Sequence, residues 1–187
     1  MRVLSLLIFL FTFKSTAATK QIELQTSGLI GVGHAFYSLT FSDRHTISMG
    51  IGYVPKQYDH DDMRLFSVKY RYTPDIKYTF QIKSKLIQWK PFSFSTTMLF
   101  GKDHDDYKIL PDRDIPEGYY TPTDRRFIFS MQSNFLVRDN IELYWDWSVL
   151  DIGVVNYTRN FEFYRDNYYL MGLTGIVSSG VGIRVYL

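Results

Sequence analysis

Residues 171–187 read MGLTGIVSSGVGIRVYL. Taken in steps of two, one face carries Met171, Leu173, Gly175, Val177, Ser179, Val181, Ile183, Val185 and Leu187. The other carries Gly172, Thr174, Ile176, Ser178, Gly180, Gly182, Arg184 and Tyr186. Successive side chains of a strand point to opposite sides, so this period predicts a strand with one apolar face and one small or polar face.

The same division recurs upstream. In His45–Val54, Ile47, Met49, Ile51 and Tyr53 oppose Thr46, Ser48, Gly50 and Gly52. In Leu65–Thr73, Phe66, Val68, Tyr70 and Tyr72 oppose Ser67, Lys69 and Arg71. Tyr78–Leu86 sets Tyr78, Phe80, Ile82 and Leu86 against Thr79, Gln81, Lys83 and Lys85. Phe92–Phe100, Phe127–Phe135 and Ile141–Val149 behave alike, the last placing Trp145 and Trp147 opposite Glu142 and Asp146. Leu29–Phe41 is more mixed, with His34 on its polar side. Helical spacing is scarcely visible.

A soluble antiparallel sheet also alternates, with its apolar face inside. Here the apolar side chains are bulky, and the opposite face mixes Gly and Ser with charges of both signs. Lipid can cover the first set and a narrow lumen suits the second. The fold class expected is an all-β, antiparallel, up-and-down transmembrane barrel of about eight strands. Closure satisfies the strand edges that lipid cannot. Lys69, Arg71, Lys83, Lys85, Glu142, Asp146 and Arg184 then form a charge network in the lumen. A soluble lipocalin-like barrel is the main competing architecture.

The connections fit this plan. Ser42-Asp43-Arg44, Thr73-Pro74-Asp75 and Arg138-Asp139-Asn140 signal tight turns. Lys102–Asp124, with three prolines, and Asn156–Asn167 are long polar connections. Trp89-Lys90-Pro91 reads as a turn, although the face phase continues through it. If it is not a turn, an eighth strand must come from Gln21–Ser27, and the segment holding Asp59 changes sides.

The first residues resemble an export signal: Arg2, an apolar run from Val3 to Phe13, then Ser15-Thr16-Ala17-Ala18. The expectation is a leader over 1–18 and a barrel domain over 19–187. The apolar run is shorter than the roughly 20 residues of a spanning helix. The chain has no cysteine, so no disulfide staples it. A formal net charge of +2 gives no case for nucleic-acid binding. Its 15 Tyr, 15 Phe and 3 Trp include many side chains suited to membrane–water interfaces.

The terminal run Gly182-Ile183-Arg184-Val185-Tyr186-Leu187 resembles the C-terminal signal of bacterial outer-membrane proteins, with Leu187 where Phe is usual. The mature chain as a whole resembles the small eight-stranded OmpA/OmpX-type barrels of Gram-negative bacteria. The resemblance implies an outer-membrane location, recognition by the barrel-assembly machinery and contact with outer-membrane lipid and lipopolysaccharide. A monomer is expected. Function does not follow from the fold.

Candidate chemistry is sparse. Asp59-His60-Asp61-Asp62 recurs as Asp103-His104-Asp105-Asp106. Carboxylates and imidazoles can hold a divalent cation, but two solvated acidic loops are the plainer reading. The turn assigned at Trp89-Lys90-Pro91 puts the two tetrads at opposite ends. Lipid A deacylase and palmitoyltransferase barrels use a His with a Ser; the deacylase-like pattern puts that pair late in the chain, no His follows His104, and no spacing supports His104 with an outer-leaflet Ser. His34 reads as a packed lumen residue, and no catalytic residue is assigned. No phosphate-binding loop, zinc spacing or nucleophile elbow is found, and no cofactor is expected. The expected role is non-enzymatic: structural, or surface interaction through outward loops carrying Tyr107, Tyr119, Tyr120, Tyr157, Phe161 and Tyr164. A lipid A acyltransferase or deacylase is the alternative, and a narrow channel a third.

Overall fold

A computed structural model describes residues 18–27, 29–55, 62–102, 125–159, 161–166, 168 and 176–187. Among the described residues nine strands run in chain order: β1 (Thr19–Ser27), β2 (Gly33–Phe41), β3 (His45–Val54), β4 (Met63–Tyr72), β5 (Tyr78–Ile82), β6 (Lys85–Lys102), β7 (Arg125–Arg138), β8 (Ile141–Leu150) and β9 (Val177–Tyr186). All pairings are antiparallel, mostly between consecutive strands. β1 pairs with β9, and β4 pairs with β6, so the sheet closes on itself. Eight strands form the wall, and β5 stands outside it, bonded only to β6.

The wall has the eight strands expected from sequence, but one of its members is corrected. Residues 85–102 form one strand through Trp89-Lys90-Pro91. Pro91 has no N–H to give the ladder, and the register against β7 shifts between Lys90 and Ser93. The chain absorbs the proline with a bulge instead of a turn. The wall strand that replaces Tyr78–Leu86 is β1, whose segment QIELQ alternates strictly.

The three predicted tight turns all lie at one end. Ser42 and Asp43 adopt positive φ of 59° and 54°, the primed-turn conformation that follows strand twist. At the other end the chain passes through the longer connections 28–32, 55–62, 103–124 and 151–176. Asn156–Asn167, expected as loop, contains helix instead: α1 (Asp151–Arg159) and α2 (Phe161–Asp166). Acidic Asp151 opens α1 and Arg159 closes it, each on the favourable side of the helix dipole. The residues before Ile176 in the quoted stretch lie outside those described.

The outer surface is apolar all the way round. Exposed large apolar side chains include Ile22 on β1, Tyr37 on β2, Met49 and Ile51 on β3, Phe66 on β4 and Phe94 on β6. Phe129 on β7, Trp145 and Trp147 on β8 and Val181 on β9 complete the ring. Met49 and Ile51 are 61% and 69% exposed, values unlike those of a folded core. The inside is divided. Its middle is polar, whereas Ile30, Leu65, Leu99, Ile128, Leu150 and Ile176 form a buried apolar cap toward the long-connection end.

Candidate functional site

Cross-strand register builds the middle of the lumen. Glu23 of β1 lies directly opposite Arg184 of β9, and Arg184 lies opposite Glu142 of β8. Three neighbouring strands thus carry a minus–plus–minus row, the arrangement that cross-strand pairing favours. β4 supplies Lys69 and Arg71 from across the lumen.

Glu23 is fully buried and is the hub. Its carboxylate accepts from Lys69 Nζ, from Arg71 Nη1 at 3.3 Å, from Arg184 Nε at 2.9 Å and from the Tyr144 hydroxyl at 2.6 Å. Glu142 accepts from Arg184 and from the Tyr186 hydroxyl at 3.0 Å, and pairs with Lys90 at 3.7 Å. Arg184 also donates to Asn134 Oδ1 at 2.7 Å and to Gln132 Oε1. Gln132 passes the connection on, donating to Asp146 Oδ1 at 2.8 Å. Lys69 sits 3.7 Å over the Phe36 ring, and the Arg184 guanidinium 3.9 Å over Tyr144. Each charge of this network meets an opposite charge or several dipoles, which burial requires.

Of the residues assigned to the lumen from sequence, Lys69, Arg71, Glu142, Asp146 and Arg184 are brought together here. Lys83 and Lys85 are not. They lie in the exposed β5–β6 hairpin, outside the closed wall. Sequence reading missed Glu23 and Tyr144, and it placed Gln132 and Asn134 on the polar face of their strand without joining them to the network. Glu23 carried a usable signal, since Gln21, Glu23 and Gln25 alternate with Ile22 and Leu24.

Toward the turn end the polar interior opens into a cavity of about 380 Å³, lined by Gln21, Thr46, Arg71, Asn134, Glu142 and Tyr186 among others. In the opposite direction, beneath the apolar cap, His34 Nε2 lies 2.6 Å from Ser67 Oγ. His34 Nδ1 lies 3.2 Å from the Ile30 carbonyl, which fixes Nδ1 as the donor and leaves Nε2 to accept from the serine. Gly50 and Gly52 on β3 leave room for the ring, since a Cβ at either would strike it. This Ser–His pair joins residues 33 apart in sequence, and Ser67 is fully buried.

Asp59, His60, Asp61, Asp103, His104, Asp105 and Asp106 lie outside the described residues. Asp62 is described and immediately precedes β4. The strands that bound the two tetrads are neighbours, with Arg64 opposite Lys102. The chain therefore enters β4 and leaves β6 at the same end, which corrects the expectation that those two connections lie at opposite ends. Among the described residues no cluster of potential metal ligands occurs.

At that same end, α1 and α2 present an aromatic group. Tyr157 meets Phe161 and Tyr164 edge-on at 5.7 and 5.3 Å, and Tyr157 and Phe161 are more than half exposed. Tyr107, Tyr119 and Tyr120 lie outside the described residues.

Fold and interior together define a class: a closed antiparallel barrel, polar and ion-paired inside, apolar outside. No family model matches the chain, and no curated protein matches it. Among solved structures it is similar to the NanC porin in a rhombohedral crystal form, at 10% identity and a TM-score of 0.30. That match covers 90% of this chain and 100% of the porin chain. At that level of similarity nothing about this chain's role rests on it.

Proposed function

We propose that this chain is an exported outer-membrane barrel of a Gram-negative bacterium, non-enzymatic, with a plugged interior. Its role is structural, or is carried out by the surface at its long-connection end. One observation carries this reading: all eight wall strands turn bulky apolar side chains outward over a polar, ion-paired inside. Water would penalise that surface, whereas acyl chains match it. No helix among the described residues is long and apolar enough to cross a membrane. Crossing therefore falls to the strands. By the usual pattern of such barrels, the tight turns face the periplasm and the long connections face outward. Residues 1–18 supply the export signal. The terminal strand supplies recognition by the assembly machinery, with lipopolysaccharide as the outer-leaflet neighbour.

The test is heat-modifiable gel migration of the membrane-extracted protein, combined with cell-surface binding. The unboiled protein should run as a faster, compact band. Replacing Tyr157, Phe161 and Tyr164 by Ser, together with trimming 103–124, should abolish surface binding and leave that band intact. Unchanged binding contradicts a role for this end.

The lipid A-modifying reading keeps one observation in its favour, the 2.6 Å contact between His34 and Ser67. The burial of Ser67 beneath the apolar cap argues against substrate access. Ser67→Ala should leave the lipid A acyl pattern unchanged by mass spectrometry, and a lost or gained acyl chain would restore the enzyme reading. A channel is disfavoured by the ion-paired filling of an eight-stranded lumen. Planar bilayers should show no discrete conductance steps.

A further inference from the structure

The β5–β6 hairpin combines features that meet nowhere else among the described residues. β5 has β6 as its sole strand partner, so its outer edge carries no ladder. All five β5 residues are exposed, and Lys83 turns the hairpin at a φ of 56°. Register places Tyr78 opposite Trp89 and Phe80 opposite Ile87, which gives the hairpin one apolar face. Trp89 ties that face to the wall. It stacks on Phe135 at 6.1 Å, and its indole N–H donates to Ser133 Oγ at 2.8 Å. Phe135 lies opposite outward-facing Leu143, so the apolar exterior continues unbroken from wall to hairpin.

Charge adds the second observation. From Ile76 to Gly101 the sequence holds Lys77, Lys83, Lys85 and Lys90 and no carboxylate. Lys77, Lys83 and Lys85 are exposed, while Lys90 reaches back to Glu142.

We infer that this hairpin is an interfacial foot, lying on anionic phospholipid headgroups at the turn end of the barrel. The inference rests on the membrane reading above. An open strand edge cannot enter hydrocarbon, where its N–H and C=O groups would go unbonded, but hydrated headgroups satisfy it. Tyr78 and Trp89 are side chains that favour that zone. The lysine stems lie along apolar surface while their ammonium groups reach phosphates. A protein strand added to the free edge is the other conceivable occupant. Continuity with the lipid-facing belt and the carboxylate-free lysine set favour lipid.

The absence of cysteine makes a direct test possible. Ser84→Cys carries a solvatochromic fluorophore at the hairpin tip, and Ile51→Cys carries the same dye on the wall. Each full-length protein is refolded into phosphatidylcholine vesicles, with or without phosphatidylglycerol. The wall dye should report an apolar environment in both. The hairpin dye should shift to the blue only with phosphatidylglycerol, and K77Q/K83Q/K85Q should reverse the shift. Each lysine is expected to contribute about fivefold in partitioning, so the triple change weakens it about a hundredfold at low salt.

A water-like hairpin dye beside an apolar wall dye overturns the foot and leaves the barrel in its membrane. A water-like wall dye removes the membrane reading itself. An equal blue shift in both vesicle types, indifferent to the lysines, overturns the anionic headgroup. A shift that needs added protein and no lipid overturns it in favour of a strand partner.

Discussion

The two halves of the lumen are built from opposite chemistry on the same strands. On β4, the inward residues run Leu65, Ser67, Lys69 and Arg71. Leu65 joins the apolar cap with Leu99, Ile128 and Leu150, while Lys69 and Arg71 converge on Glu23. The Ser67–His34 contact marks the boundary. The cap depends on volume and can relax around a small loss. The ionic half depends on mutual pairing, and removing one member leaves the rest buried and uncompensated. The two halves should therefore respond differently to substitution.

The largest difference is expected at Glu23. Glu23→Ala strands Lys69, Arg71 and Arg184 together and should cost about 3–5 kcal/mol in reversible urea unfolding. A loss below about 1 kcal/mol would show that water replaces the carboxylate, and the ionic half would be no more demanding than the cap.

At the boundary the contest is steric. A Cβ on Gly52 would strike the His34 ring, so Gly52→Ala should cost about 1–3 kcal/mol by the same assay. In a His34→Ala background the same change should be nearly silent. Equal costs in both backgrounds would place the strain elsewhere.

In the cap, Ile128 is 1% exposed, and Ile128→Val should cost only about 0.5–1.5 kcal/mol. A cost matching that of Glu23→Ala would erase the contrast between the halves.

The smallest effect is expected outside the wall. K83Q/K85Q should change stability by no more than about 0.5 kcal/mol, because both lysines sit on an exposed hairpin. A large loss would return them to the lumen network.

How far this was legible in sequence follows from what alternation can encode. A period of two states which face a residue occupies. It therefore placed Lys69, Arg71, Glu142, Asp146 and Arg184 on one side of their strands. It says nothing about whether a strand gains a second neighbour, so β5, with Tyr78, Phe80 and Ile82 in phase, looked like wall. Lys83 and Lys85 went inward with it. The same error left Gln21–Ser27 as the alternative strand and Glu23 out of the network, and it set the two Asp-His-Asp-Asp tetrads at opposite ends. Pro91 misled because a proline inside a strand usually marks a turn, whereas a one-residue bulge absorbs it here. The Ser67–His34 pairing depends on register between strands separated in sequence, which composition does not reveal.

All of this stands on the claim that the apolar exterior meets acyl chains. Trp145 and Trp147, which face outward on β8, test it in a Trp89→Phe variant, because Trp89 belongs to the hairpin at headgroup level. The variant is refolded into vesicles whose acyl chains carry bromine, and its intrinsic fluorescence is read with and without aqueous iodide. Strong quenching by the brominated lipid, with little response to iodide, is the predicted result. Ready quenching by iodide with none from the lipid would contradict the account and return the chain to water.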